Sequence, residues 1–239
     1  MKRLSTVALS AVLAAAVPAA AGAELACGAD VPLSMQVRLE YGVTASRGMI
    51  SLSGDGVVTY QRKGDDYAME SSLQALGIFE IKQRSAGTAG KEGLSPRKFT
   101  QQTTGRPTFS VDFDWPAQRV AFSRTGKSAP TKPQMQDRLS LLMQLAWRYR
   151  ADPRARTIEV PVAGHRGAST YVFDVHGTEA ITVPAGRFEA VRLERHEKDG
   201  DETLEVWLAT EICSLPARVR FTDDKGLLVE QQLRAVRSP

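Results

Sequence analysis

The fold is indicated first by residues 37–43, which read VRLEYGV. The apolar side chains occupy the odd positions of this stretch, and Arg38, Glu40 and Gly42 lie between them. In an extended strand, alternate side chains point to opposite faces, so this period of two places all the apolar residues on one face. The stretch therefore predicts a β-strand with one face on a hydrophobic core and the other in solvent.

The same alternation recurs almost to the end of the chain. It predicts further strands at residues 57–62, 67–73, 78–84, 99–103, 108–114, 119–123, 171–175, 203–208 and 215–221. Glycine-bearing turns separate neighbouring strands, and residues 85–96 and 126–133 are predicted to be loops. Because no alternating helices are available as crossovers, the strands should run antiparallel. Twelve or more strands rarely form one flat sheet, so the sheet should curl or split into two packed layers.

One segment has a helical period instead. Over residues 134–150 the apolar side chains recur at three- and four-residue spacing, which predicts one amphipathic helix. Thr131 and Gln134 match a capping box, Pro133 suits a first helical turn, and Asp152-Pro153 ends the pattern. The apolar face should pack on the sheet, with a mobile lid over an apolar cavity as the alternative. The predicted fold is all-β with one helix: a large curved antiparallel meander forming a barrel or half-barrel, packed by that helix.

The first 23 residues have the features of a secretory signal peptide. Lys2 and Arg3 precede an apolar run over residues 4–16, and Ala21-Gly22-Ala23 supplies a small-x-small cleavage site. Cleavage after Ala23 would leave residues 24–239 as a single β domain, exported to the periplasm. A lipoprotein anchored at Cys27 is the alternative address. A charged residue, Glu24, three positions before Cys27 argues against it.

The chain contains two cysteines, Cys27 and Cys213. In an oxidising compartment an even pair of thiols most simply forms a disulfide. Such a bond would join the start of the mature chain to its last hairpins. A redox-active or metal-binding pair is the alternative, but the two residues have no CxxC spacing and no neighbouring histidines.

Charge and hydropathy argue against two classes of protein, nucleic-acid-binding proteins and proteins that span a membrane. The formal net charge is +4, and removal of Lys2 and Arg3 reduces it to +2. So small an excess, spread along the chain, does not predict a nucleic-acid-binding protein. No later stretch reaches about 18 consecutive apolar residues, so we expect a protein that does not span a membrane.

Enzymatic motifs are missing from the sequence. His165, His176 and His196 are the three histidines, and none lies in a nucleophile or zinc motif. The chain has no GxSxG, HExxH, P-loop or dinucleotide-binding signature. We therefore expect no catalytic, cofactor-binding or metal-binding residues and no cofactor, and an unrecognised hydrolase is the least favoured interpretation.

Six short motifs occur in order along the chain. They are GLSP at residues 93–96 with Phe99, FDW at 113–115 before Val120 and Phe122, QD at 136–137 leading into Leu139-Ser140, PAG at 184–186 with Phe188, VWLA at 206–209, and Leu215-Pro216 with Arg218. Together they resemble an exported proteobacterial family, domain of unknown function 3108 (DUF3108), over nearly all of the mature chain. The resemblance implies export and a mostly antiparallel β fold, and it implies no catalytic residues. The expected architecture is also similar in outline to curved-sheet lipoprotein carriers of the cell envelope.

The candidate contact residues are large apolar side chains. Four of them, Leu142, Met143, Leu145 and Trp147, belong to the predicted helix. The fifth is Trp207, which points away from Val206 and Leu208, so its face is either covered by the helix or forms a binding surface. We expect a non-enzymatic periplasmic protein that binds an apolar or amphipathic envelope component, a lipid or lipoprotein-like ligand. A structural or assembly partner of envelope proteins is the alternative.

Overall fold

A computed structural model of the chain describes residues 36–75, 79–196 and 202–238. The predicted signal peptide and Cys27 lie outside the described residues. The first eight strands are β1 (Val37–Arg47), β2 (Ile50–Lys63), β3 (Asp66–Ala75), β4 (Phe79–Gly90), β5 (Gly93–Thr103), β6 (Arg106–Asp114), β7 (Arg119–Phe122) and β8 (Lys127–Pro130). The remaining elements are β9 (Gln136–Asp137), helix α1 (Ser140–Ala151), β10 (Thr157–Ala163), β11 (Ala168–Val183), β12 (Gly186–Arg195), β13 (Thr203–Ala209), a 3₁₀ turn (Thr210–Ile212), β14 (Leu215–Thr222) and β15 (Leu228–Arg237).

All fifteen described strands form one sheet, in the order β8 to β1 and then β15 down to β9. Each strand therefore pairs with its neighbour in sequence, except where β1 pairs with β15 and joins an N-terminal wing to a C-terminal wing. Every pairing is antiparallel apart from that of β9 with β10. The sheet is open, because β8 and β9 are its two edges. The predicted antiparallel meander is confirmed, in its half-barrel form.

Helix α1 lies inside the curve of the sheet. It contacts β5 in the N-terminal wing and β10 and β14 in the C-terminal wing. One helix can touch both wings only if the sheet curls around it. The buried apolar residues form two clusters. In the second cluster, the helix residues Leu145 and Ala146 pack against residues of the C-terminal wing, among them Val160, Phe173 and Leu193. The predicted packing of the helix on the sheet is confirmed.

The predicted helix start is wrong by about six residues. Residues 134–139 are not helical: Gln134 has a positive φ of 57°, and Gln136 and Asp137 form β9. The Asp137 carboxylate accepts hydrogen bonds from the backbone N–H groups of Leu139 and Ser140, at 2.8 and 2.9 Å. A buried acid thus caps the first turn in place of the predicted Thr131 and Gln134 box.

The two predicted loops contain strand residues. Over 85–96, β4 continues to Gly90 and β5 begins at Gly93, so only a tight turn separates them. Gly87 was interpreted as a loop residue, but it lies within the paired region of β4 and β5. A Cβ at this position would be 2.1 Å from the Ser95 carbonyl oxygen, so the strand needs a glycine there. Over 126–133, residues 127–130 form β8. Glycine in both places serves close backbone approach and a turn.

Within the described ranges, no helix is long and apolar enough to cross a membrane.

Candidate functional site

An apolar groove of about 300 Å³ lies between the concave face of the sheet and the first turn of α1. Its lining comes from both wings and from the helix. The lining residues are Val58, Ser71, Leu73, Ile81, Gln83, Arg138, Leu139, Leu141, Leu142, Tyr171, Arg195, Glu202, Leu204, Val219, Phe221, Leu227, Val229 and Gln231. This volume is at the lower end of the range, roughly 300–1,000 Å³, of cavities that hold small ligands.

Strand register explains why the groove is apolar. Leu73 of β3 pairs with Ile81 of β4, and Phe221 of β14 pairs with Val229 of β15. Directly opposed residues of antiparallel strands share a face, so each wing presents an apolar pair to the concave side. All four side chains are half-buried, whereas the core side chains are fully buried. They therefore line the groove without filling it.

The groove opens into a wider mouth of about 950 Å³. The mouth shares Ile81, Tyr171, Arg195, Glu202 and Leu227 with the groove, which makes the two spaces continuous. Its other lining residues are mostly polar: Arg47, Phe79, Gln101, Thr103, Arg106, His165, Arg166, Asp223, Asp224 and Lys225. The site is therefore amphipathic, with apolar walls inside and charged groups at the opening.

Two of the three acids that line the mouth form ion pairs. Glu202 accepts from Arg138 at 2.5 Å, and Asp223 forms an ion pair with Arg47 at 3.2 Å. A hydrogen bond from the Leu227 backbone N–H lowers the pKa of Asp223. Exposed pairs of this kind contribute little stability, but they neutralise the carboxylates locally.

Several cations at the mouth have no such pairing. Arg106, Arg166 and Lys225 are exposed and form no ion pair with any residue in the described ranges. Burial lowers the pKa of the neighbouring His165, and the positive charges of Arg138 and Arg166 lower it further. The part of this shift that comes from the two arginines indicates a positive electrostatic potential at the opening.

A buried polar cluster lies beside the groove and joins the two wings. The Ser85 hydroxyl of β4 donates to the Asp137 carboxylate, with 2.5 Å between the oxygens, and the Tyr67 hydroxyl is 2.8 Å from Ser85. Burial raises the pKa of Asp137, and it also raises that of Tyr67. Because Ser85 and Asp137 are fully buried, the cluster serves architecture and has no access to a ligand in the groove.

A second buried contact fixes the helix against the turn between β4 and β5. The Gln144 side chain of α1 accepts from the Leu94 backbone N–H at 2.9 Å and donates to the Glu92 carbonyl at 3.2 Å. Gly93 has a positive φ of 102°, and a Cβ there would be 2.2 Å from the Gln144 amide oxygen. The turn therefore needs a glycine both for its conformation and for the close approach of Gln144.

A third buried contact unites motifs that are far apart in sequence, residues 93–96 and 136–140: the Gln136 side-chain amide donates to the Leu94 carbonyl oxygen at 2.7 Å. Residues 35–232, a range that includes both motifs, match the protein family of unknown function DUF3108. The chain belongs to the DUF3108 family. The predicted resemblance is thereby confirmed. No curated protein is significantly similar to this sequence.

Three solved structures can be compared with this DUF3108 protein. A β-barrel-like protein from Brucella abortus, of the domain of unknown function DUF1849, has a TM-score of 0.59 at 9% identity, over 86% of this chain and 98% of that one. A DUF1329 family protein from Desulfovibrio piger has a TM-score of 0.30 at 10% identity, over 87% and 88% of the two chains. A domain named for outer membrane lipoprotein sorting, from Vibrio parahaemolyticus, has a TM-score of 0.22 at 9% identity, over 85% of each chain. The first match shows a shared fold, and the other two are too distant to support an argument.

Of the five candidate contact residues in this DUF3108 protein, only Leu142 lines the groove. Met143 and Leu145 of the same helix are buried in the two hydrophobic clusters, and Trp147 is partly buried against the first of them. The helical stripe wraps around α1, so these residues are directed to different parts of the core. The structure thus places four of the five away from the groove.

Trp207 is buried, with 4% of its surface exposed. Its indole N–H donates to the Glu179 carboxylate of β11, and the guanidinium groups of Arg218 and Arg220 lie 5.5 and 5.3 Å from the ring centre. It belongs to a different hydrophobic cluster from Val206 and Leu208, as the alternation predicted. Trp207 is therefore packed inside the protein and does not form an open binding surface.

The three histidines have separate environments. His196 contacts Asp174, His176 lies 3.0 Å from Glu194, and only His165 lines the mouth. Among the residues that the structure describes, no group of three or more His, Cys, Asp or Glu side chains could hold a metal ion. Cys213 is buried, and the predicted disulfide stays a prediction because Cys27 lies outside the described residues.

Sequence reasoning missed the mouth. Its arginines Arg47, Arg106 and Arg195 come from β1, β6 and β12, which are distant in sequence, and no motif connects them. For the groove, the usable signal was the alternation around Leu204 and Phe221, a directly opposed pair whose apolar face lines the groove.

Proposed function

We propose that this protein is a non-catalytic binding protein of the cell envelope that holds an amphipathic ligand with one acyl chain. The chain would lie in the groove between Leu73, Leu142 and Phe221, and the headgroup would remain in the mouth. The observation that supports this proposal is the continuity of an apolar groove with a charged opening. Burial of a hydrocarbon chain against such walls yields about 0.8 kcal/mol for each CH₂ group removed from water.

Two further features support a binding role over catalysis. The carboxylate of Asp137 accepts hydrogen bonds from Ser85 and from the backbone of the first helical turn, so it acts as a structural group. The helix is held at both its start and its middle by buried polar contacts, which keeps one wall of the groove in place. Export to the periplasm is part of the proposal, on the strength of the leader sequence.

Native mass spectrometry of the full chain, expressed with its leader and purified from the periplasm, tests the proposal. We expect an adduct with the mass of a single-chain lipid, and titration of the delipidated protein with dodecanoate should restore a one-to-one complex. Leu204→Trp introduces a larger side chain at a half-buried position of the groove wall and should abolish the adduct.

Val57→Trp is the matched control, since Val57 is a half-buried strand residue that pairs with Glu40 and Ser72 on the face opposite the groove. It should retain the adduct. Failure of the wild-type protein to bind both cellular lipid and dodecanoate would overturn the proposed function, as would equal binding by Leu204→Trp when circular dichroism shows it folded.

A further inference from the structure

The exposed large apolar side chains of the described chain gather at one end of the half-barrel. They are Met49, Ile50, Leu52 and Phe79, exposed by 104, 69, 37 and 43%. Three of them form the tip of the β1–β2 hairpin, and Phe79 begins β4 and lines the mouth. Scattered exposed apolar residues need no explanation, but a group confined to one rim does.

Register places this tip on the concave face. Ile50 and Leu52 follow the same alternation as Gly54 and Val58, and Val58 lines the groove. Gly54 pairs with Ala75, which in turn pairs with Phe79, so these residues share that face as well. On the concave face, apolar side chains therefore extend from the groove, past Ile81 and Phe79 at the mouth, toward Leu52 and Ile50 of the hairpin tip.

The tip consists of the end of β1, the start of β2 and the turn between them. Gly54 is the residue of β2 nearest the tip that pairs with β3 in the described ranges. Residues 50–53 therefore extend about 13 Å past it at roughly 3.3 Å per residue. Within the described chain they pair only with β1. Met49 and Ile50, at the apex of this hairpin, are the most exposed large apolar side chains of the described chain.

Cations surround the same rim. Arg47 is opposite Ile50 in the hairpin, and Arg106, Arg166 and Lys225 lie at the mouth. Asp223 and Glu202 are paired with Arg47 and Arg138, and Asp224 offsets only one of the three cations Arg106, Arg166 and Lys225, so the mouth keeps a positive excess that suits an anionic partner. An exposed apolar apex next to a mouth lined with basic side chains is complementary to a bilayer with anionic headgroups.

We propose that this rim is a membrane-docking surface: the β1–β2 tip inserts Met49 and Ile50 into the interface of an anionic bilayer, with the mouth of the groove facing the lipid. This inference goes beyond ligand binding, because it concerns a surface outside the groove. It also explains why the groove opens at the same end as the apolar tip, since a lipid could then pass between bilayer and groove without crossing water.

Flotation of the full mature chain with vesicles tests the proposal. The protein should bind vesicles of phosphatidylethanolamine and phosphatidylglycerol and bind phosphatidylcholine vesicles weakly. The double variant Met49→Ser/Ile50→Ser should lose at least about tenfold in partitioning, given the apolar area removed. Arg106→Ala/Arg166→Ala should lose binding in a salt-dependent manner. Lys91→Ser, in the exposed turn at the opposite end of β4, should bind as the wild type does.

Insertion itself is read by fluorescence. A tryptophan introduced by Met49→Trp should shift to the blue on phosphatidylglycerol vesicles and be quenched by brominated lipid, whereas one introduced by Lys91→Trp should not. Absence of vesicle binding, or equal binding by Met49→Ser/Ile50→Ser, would overturn docking. So would lipid-independent self-association that this double variant abolishes, since the tip would then serve a second copy. Dodecanoate binding by the tip variant separates this failure from failure of the proposed function.

Discussion

The Ser85 hydroxyl and the Asp137 carboxylate, 2.5 Å apart, connect the two wings of the half-barrel. Ser85 is on β4 of the N-terminal wing, and Asp137 ends β9, the edge strand of the C-terminal wing. The same carboxylate caps α1 through Leu139 and Ser140. One buried acid therefore sets both the curl of the sheet and the start of the helix that forms the wall of the groove.

Asp137→Ala should lower the free energy of unfolding by about 2–4 kcal/mol, because it removes the acceptor of the Ser85 hydroxyl and leaves the backbone N–H groups of Leu139 and Ser140 buried without an acceptor. Asp137→Asn is the matched control. Its amide oxygen can still accept from Leu139 and Ser140, so it should cost clearly less. Guanidinium denaturation of the three proteins gives the comparison, and equal stability of wild type and Asp137→Ala would contradict the role assigned to this residue.

The stability conferred by Asp137 should depend on pH. Burial raises the pKa of the folded carboxyl above its unfolded value of about 3.9, so the folded state holds the proton more tightly. The contribution of Asp137 is therefore fully present below the unfolded pKa and decreases as the pH rises through the folded pKa. Because Asp137→Asn cannot ionise, its free energy of unfolding relative to wild type should be higher at pH 7 than at pH 4. A difference that is constant across this range would refute the raised pKa.

The regular part of this fold was predictable from sequence, and the functional part was not. Alternation at residues 37–43 and 203–208 predicts strands because one face is apolar, and the observed register confirms it. The start of α1 was not predictable, since Asp137 caps the helix through contacts that also depend on the distant Ser85. The mouth was not predictable either, because Arg106 of the N-terminal wing and Arg195 of the C-terminal wing meet there only after the wings curl.

Gly93→Ala should destabilise the protein by about 1–3 kcal/mol. A side chain at a φ of 102° is strained, and its Cβ would displace Gln144 from the Leu94 N–H. Gly90→Ala in the same hairpin is the control, because a Cβ there meets no atom within 4 Å. Thermal and denaturant unfolding should place Gly90→Ala near wild type and Gly93→Ala well below it. If both variants behave alike, the Gln144 contact is not what requires the glycine.

His165 should report on the charge of the mouth. Burial lowers its pKa, and Arg138 and Arg166 lower it further, so Arg166→Ala should raise it. An anionic headgroup bound in the mouth should raise it too, because a negative charge stabilises the imidazolium. NMR titration of the His165 ring protons measures both effects. Lys91→Ala should leave the pKa of His165 unchanged, and a pKa insensitive to both Arg166→Ala and dodecanoate would contradict a cationic mouth.

The predicted disulfide between Cys27 and Cys213 can be tested by a double-mutant cycle. On the chain-entropy model a bond closing so long a loop contributes roughly 4 to 5 kcal/mol, so Cys27→Ala and Cys213→Ala should each lower the free energy of unfolding of the exported protein by that order. If the residues are bonded, the double variant should be little worse than either single variant, because the first substitution already removes the bond. Cys213 is fully buried, so its substitution also removes core packing and should cost slightly more than that of Cys27. Strictly additive losses, or a thiol that reacts in the unfolded exported protein without prior reduction, would show that the two cysteines are not joined.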